Sequence, residues 1–118
     1  MTAETHKHIR QQAYKVMDNA YYDMYIQCGY PITTKTLETW NERLIRTALA
    51  KVSTYLTALD ELITIERKTI NAMIADKVNG IEYPYGLKAH EADLEYHTNQ
   101  REEAYQLQQT IKGYLRKF

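Results

Sequence analysis

Residues that break helices fall at only two interior places in this chain. Gly29 stands with Pro31, and Gly80 stands with Pro84 and Gly86; the fourth glycine, Gly113, is almost at the end. Proline removes a backbone donor and clashes with the preceding helical turn, and glycine is the commonest helix terminator. The two cuts separate three long segments that hold neither residue apart from Gly113. This punctuation predicts an all-α, coiled-coil-like fold in one domain. Three antiparallel helices are expected, at about residues 3–28, 33–79 and 87–117.

Apolar spacing supports each segment. In the first, Ile9, Ala13, Val16, Met17, Ala20 and Met24 recur at three and four and share one face. In the second, Thr33 is placed to cap the helix, with Ile32 and Leu37 at the positions of a hydrophobic staple. Its apolar arc continues through Leu44, Ala48, Val52, Tyr55, Leu59, Leu62, Ile63, Ile70 and Met73. An unbroken helix there is roughly 68 Å long, at about 1.5 Å per residue. The weak helix formers Ser53, Thr54 and Thr57 mark the expected place for a bend, should one occur. The third seam runs Leu87, His90, Leu94, His97, Arg101, Ala104, Gln108, Ile111, Leu115 and Phe118, apolar at its ends and polar in the middle.

These lengths mismatch. Folded back over a helix that starts at residue 33, the first helix reaches only to about Leu59. The third, folded from the other end, reaches about Leu49. Only the stretch between them has three helices side by side, which leaves two-helix arms with little buried surface. Either the second helix breaks, giving a compact bundle, or a second copy of the chain completes the arms; the homodimer is the expectation, since nothing at residues 53–57 forces a break.

Bulk properties exclude some functions. Of the 118 residues, 15 are Lys or Arg and 15 Asp or Glu, so the formal net charge is zero. A dedicated nucleic-acid binder or a polybasic membrane contact carries a basic excess. The one cysteine, Cys28, allows no internal disulfide. With no signal-like apolar run at the N-terminus and no window long enough to span a membrane, a cytoplasmic setting is expected.

Tyrosine is the compositional excess: 11 Tyr against one Phe and one Trp. A tyrosine packs its ring while keeping its hydroxyl in water or on a partner. Lys7, Tyr14, Tyr21 and Tyr25 form a stripe beside the first helix's core face, with Tyr22 nearby. Tyr83 and Tyr85 flank Pro84 at the second corner. These tyrosines are the expected partner-binding surface; packing on the flanks of the core is the alternative.

Three polar groupings remain. Glu66 lies at the centre of the second helix's apolar arc, flanked by Leu62, Ile63, Ile70 and Met73. At its level on the third helix are His97 and Arg101, so a partly buried Glu66–Arg101 pair with His97 beside it is expected. His90, Asp93 and His97 share one face a turn apart and could ligate a divalent metal, although the spacing matches no established motif. Asp18 and Asp23 interrupt the tyrosine stripe, which weakens a base-stacking reading that would use Lys7 and Arg10. Cys28 sits at a helix C-terminus, where the dipole disfavours a thiolate. No phosphate loop or catalytic constellation is present, and no cofactor is implied. The functional expectation is a non-enzymatic helical interaction protein, acting as an adaptor, assembly factor or inhibitor. A nucleic-acid-associated regulator and a metal-binding helical protein are the alternatives.

Overall fold

The computed structural model describes residues 3–29, 32–78 and 86–118, with side chains over 7–26, 28–29, 32–75 and 86–118. The fold is all-α. Helix α1 spans Ala3–Cys28, α2 Thr34–Thr39, α3 Glu42–Val78 and α4 Leu87–Leu115. At about 1.5 Å per residue, the 37 residues of α3 account for nearly all of the 58 Å long axis.

The helix ends follow from local chemistry. Gly29 adopts φ +66° and its N–H donates to the Tyr25 carbonyl at 3.0 Å, closing α1 with a left-handed turn that glycine takes without strain. Thr33 caps α2, accepting from the Thr36 N–H on its side-chain oxygen. Ile32 and Leu37 are both buried, as a staple requires.

The long second helix is not continuous. Trp40 is extended, with φ −89° and ψ 145°. Asn41 then starts a new helix: its Oδ1 accepts from the Leu44 N–H at 3.0 Å. Glu42 follows in the first turn, where a carboxylate complements the helix dipole and pairs with Arg46 one turn on. The chain therefore breaks at an Asn-capped start and not at Ser53–Thr57. There the helix runs on, with the Thr54 and Thr57 hydroxyls donating to the carbonyls of Ala50 and Ser53, four residues back, and so not competing for free backbone groups elsewhere.

This break resets the register. α2 packs on α4, with Tyr114 Oη donating to Glu38 at 3.4 Å. It takes up chain between α1 and α3 without advancing along the bundle. Asp23 of α1 consequently stands level with Lys51, which it meets at 2.6 Å, and Arg10 stands level with Glu66. On the other side, Gln108 reaches Ser53 and Arg101 reaches Asp60. Three helices thus lie side by side along most of α3. The two-helix arms expected from an unbroken second helix do not form, and the reason for invoking a second copy goes with them.

The core runs along one face of α3 through Ile45, Ala48, Val52, Leu59 and Leu62, which are essentially inaccessible. From α1 it takes Ala13, Met17, Ala20, Met24 and Cys28, and from α4 Ala104 and Ile111. Val16, expected on this face, is instead 52% exposed. α1 and α4 each pack along α3 and meet one another far less, which leaves a groove between them.

Candidate functional site

Toward one end of the bundle the apolar core gives way to a buried polar cluster. Glu66 of α3 is fully inaccessible, with Leu62, Ile63, Ile70 and Met73 buried around it on the same helix. An ionised carboxylate persists there only if partners replace its water. Tyr14 Oη of α1 donates to Glu66 Oε1 at 3.0 Å. Arg10 Nη2, one turn earlier on α1, lies 3.8 Å from the same oxygen. His97 of α4 approaches the other oxygen, with Nδ1 3.4 Å from Oε2.

The cluster continues through α4. Arg10 also donates to Asp93 Oδ2 at 2.5 Å, and its guanidinium lies 5.1 Å from the centre of the Tyr14 ring. His97 Nδ1 donates to the Asp93 carbonyl at 2.7 Å. With that proton committed, the contact to Glu66 is electrostatic. The Tyr14 ring meets His97 edge-on, with centroids 5.1 Å apart. Asp93 and Glu66 carry two negative charges, matched by Arg10 and by His97 when protonated.

Ionisation follows the geometry. Burial lowers the pKa of His97, but the Glu66 carboxylate, the Asp93 carbonyl and the Asp93 carboxylate outweigh it, leaving the pKa above the ordinary 6.5. His90, also buried, moves the other way: desolvation and the nearby Arg10 charge outweigh Asp93 and Glu66, holding it below 6.5. Burial, and then the Glu66 carboxylate, raise the Tyr14 phenol well beyond its usual range, so it stays a donor.

Arg101 is not part of this cluster. Its Nε donates to Asp60 Oδ1 at 2.9 Å on the outside of the α3–α4 seam, and its guanidinium lies over the Tyr105 ring. His97 is level with Glu66, so Arg101 falls one turn further along and faces the edge. The cation beside Glu66 comes from α1 instead. Sequence reasoning missed this role for Arg10, although a signal exists. Arg10 precedes Met17 by seven residues, and Met17 precedes Met24 by seven, so it extends their buried stripe.

The trio His90, Asp93 and His97 does not assemble as a metal site. The Asp93 carboxylate is held by Arg10, and His97 Nδ1 is turned onto its own helix. Among the described residues, no group of three or more His, Cys, Asp or Glu is arranged to hold a metal ion. Cys28 is buried, and burial, partly offset by the Lys51 charge, raises its thiol pKa.

The tyrosine stripe divides. Tyr14 is half-buried on Glu66, and Tyr21 is half-buried against Tyr55 of α3 at 5.5 Å. Tyr22 and Tyr25 face solvent at 66% and 52% exposure, with Ile26 beside them at 69%. Tyr83 and Tyr85 lie outside the described residues. The groove between α1 and α4 has a volume of about 590 Å³. Tyr14, Met17, Asp18 and Tyr21 form one wall, Tyr55 the floor, and Tyr96, His97, Gln100 and Glu103 the other wall.

Fold and site together define an all-α antiparallel bundle that carries an ionic cluster around the buried Glu66. No protein-family model, curated protein or solved structure matches this chain.

Proposed function

We propose that this chain is a non-enzymatic interaction protein that binds a protein partner through the tyrosine-bearing surface of α1. The observation that carries the reading is the patch Tyr22–Tyr25–Ile26. Three large side chains, at spacings of three and four, are each more than half exposed on a helix whose opposite face already fills the core. Single exposed apolar residues are commonplace, but contiguous ones rich in tyrosine resemble the anchors of protein interfaces.

Arg10 favours a protein partner over a nucleic acid. Its guanidinium is held between Asp93 and Glu66, so it is withdrawn from the stripe that a base-stacking surface would need. Among the described residues, no helix is long and apolar enough to cross a membrane.

A photo-crosslinking residue placed at position 22, and in a second variant at the exposed polar position 102, tests the proposal in cells that express the chain. A discrete adduct from position 22 and none from position 102 is expected. The triple variant Tyr22→Ser, Tyr25→Ser, Ile26→Ser should keep the melting temperature and lose affinity for that partner. A folded triple variant that still binds it with unchanged affinity would sink the assignment.

A further inference from the structure

We infer that the groove between α1 and α4 receives the alkylammonium group of a lysine side chain from a basic segment of the protein partner. The inference rests on the partner-binding reading and names the chemistry that the second face of the same helix recognises. Four tyrosines line the groove, together with His97. Their rings are not stacked flat. Tyr21 meets Tyr55 at 60°, Tyr14 meets His97 at 77°, and Tyr96 meets His97 at 87°. Angles this large are edge-to-face contacts, so the rings brace one another along the groove, and Tyr96, 60% exposed, is the ring most open to an incoming ammonium group.

Charge points the same way. Asp18 and Glu103 stand on opposite walls, and no Lys or Arg lines the groove. Neither carboxylate is in an ion pair among the described residues, whereas Asp23, Asp60 and Asp93 are all paired. The positive charge on His97 is met from behind by Glu66. The groove is thus lined by aromatic side chains and carries two uncommitted negative charges. It lies open along one side between the two helices, so a cation can enter while still attached to a backbone. Its volume of about 590 Å³ is within the range of ligand sites, roughly 300–1,000 Å³.

Amide chemical shifts of the full chain, followed during titration with acetyl-Gly-Lys-Gly-amide, test the assignment. The norleucine counterpart, which has the same shape without charge, and free butylamine are titrated alongside. Saturable shifts at Asp18, Tyr21, Gln100 and Glu103 are expected with the lysine peptide and not with the norleucine peptide. Tyr96→Leu, at an exposed position, should weaken binding about two- to fivefold, the worth of one cation–π contact. The pair Asp18→Asn, Glu103→Gln should weaken it further, and Glu102→Gln, outside the groove, should change nothing. Equal shifts from the norleucine peptide, or a lysine isotherm indifferent to Glu103→Gln and Tyr96→Leu, would overturn the proposal. Butylamine saturating at the same concentration as the peptide would overturn the assignment to a side chain. Should the lysine peptide fail while the crosslink from position 22 persists, the groove assignment falls and the partner-binding reading stands. The reverse result rejects the patch and leaves the groove.

Discussion

Replacing Tyr14 with Phe removes one oxygen atom from the buried cluster and leaves the ring in place against His97. The lost atom is the donor that meets Glu66 Oε1 at 3.0 Å. Glu66 is fully inaccessible, so water cannot replace that donor without opening the bundle. A hydrogen bond to a charged acceptor is worth about 1.5–3 kcal/mol net, which sets the expected loss at about 2 kcal/mol. For a chain of 118 residues, an unfolding entropy of about 2.1 cal/mol/K per residue makes this a drop of about 8 °C in Tm. With a urea slope of about 1–3 kcal/mol/M, the midpoint should fall by about 1 M. Chemical denaturation of the wild type, Y14F, E66Q and the double variant forms the assay. The two changes should couple by about 1 kcal/mol or more, because they share one contact. A Y14F cost below about 0.5 kcal/mol, or additive losses in the double variant, would refute the claim that this hydroxyl holds the carboxylate.

Arg101→Ala, which breaks the exposed pair with Asp60, should cost at most about 1 kcal/mol, since solvent screens both partners; a larger loss would return Arg101 to the buried cluster. The two histidines should act in separate pH windows. The raised pKa of His97 means its stabilisation is complete below 6.5 and is lost as pH rises through the folded-state value. The lowered pKa of His90 means stability falls as pH drops below 6.5. Denaturation across pH 5–8 should show H97Q flattening the slope above about 6.5 and H90Q flattening it below; exchanged effects would contradict the cluster geometry. Asn41→Ala removes the cap of α3 and should cost about 1 kcal/mol by urea melts, with no loss if the break at Trp40 were held by packing alone.

Much of the fold is legible without coordinates, and the exceptions have local causes. Gly29 ends a helix because it alone takes φ +66° freely, and Thr33 starts one because its hydroxyl accepts a free N–H. Asn41 carries the same kind of signal, Asn followed by Glu. It is masked because Leu37, Leu44 and Ala48 keep a helical spacing across the break, so periodicity alone reads through it. The placement of Glu66 and His97 is legible too, since both interrupt apolar seams at one level of a hairpin. The choice of cation is not. On paper Arg101 is near the level of Glu66, while Arg10 falls short of it over an unbroken second helix; the break at Trp40 brings Arg10 level.

The chain's own chemistry determines where its helices start and stop and which face of each is apolar, because caps, glycine turns and 3.6-residue periodicity act within a few residues. The register between helices depends on contacts dozens of residues apart, and only the folded bundle decides it. There α2 turns aside onto α4, α1 slides along α3, and Arg10 reaches Glu66 in place of Arg101. A shift of one helix along another exchanges the partners of a buried charge and leaves each helix's own pattern unchanged: the stripe of Arg10, Met17 and Met24 marks Arg10 as inward-facing, and only the packed bundle says which residue it meets.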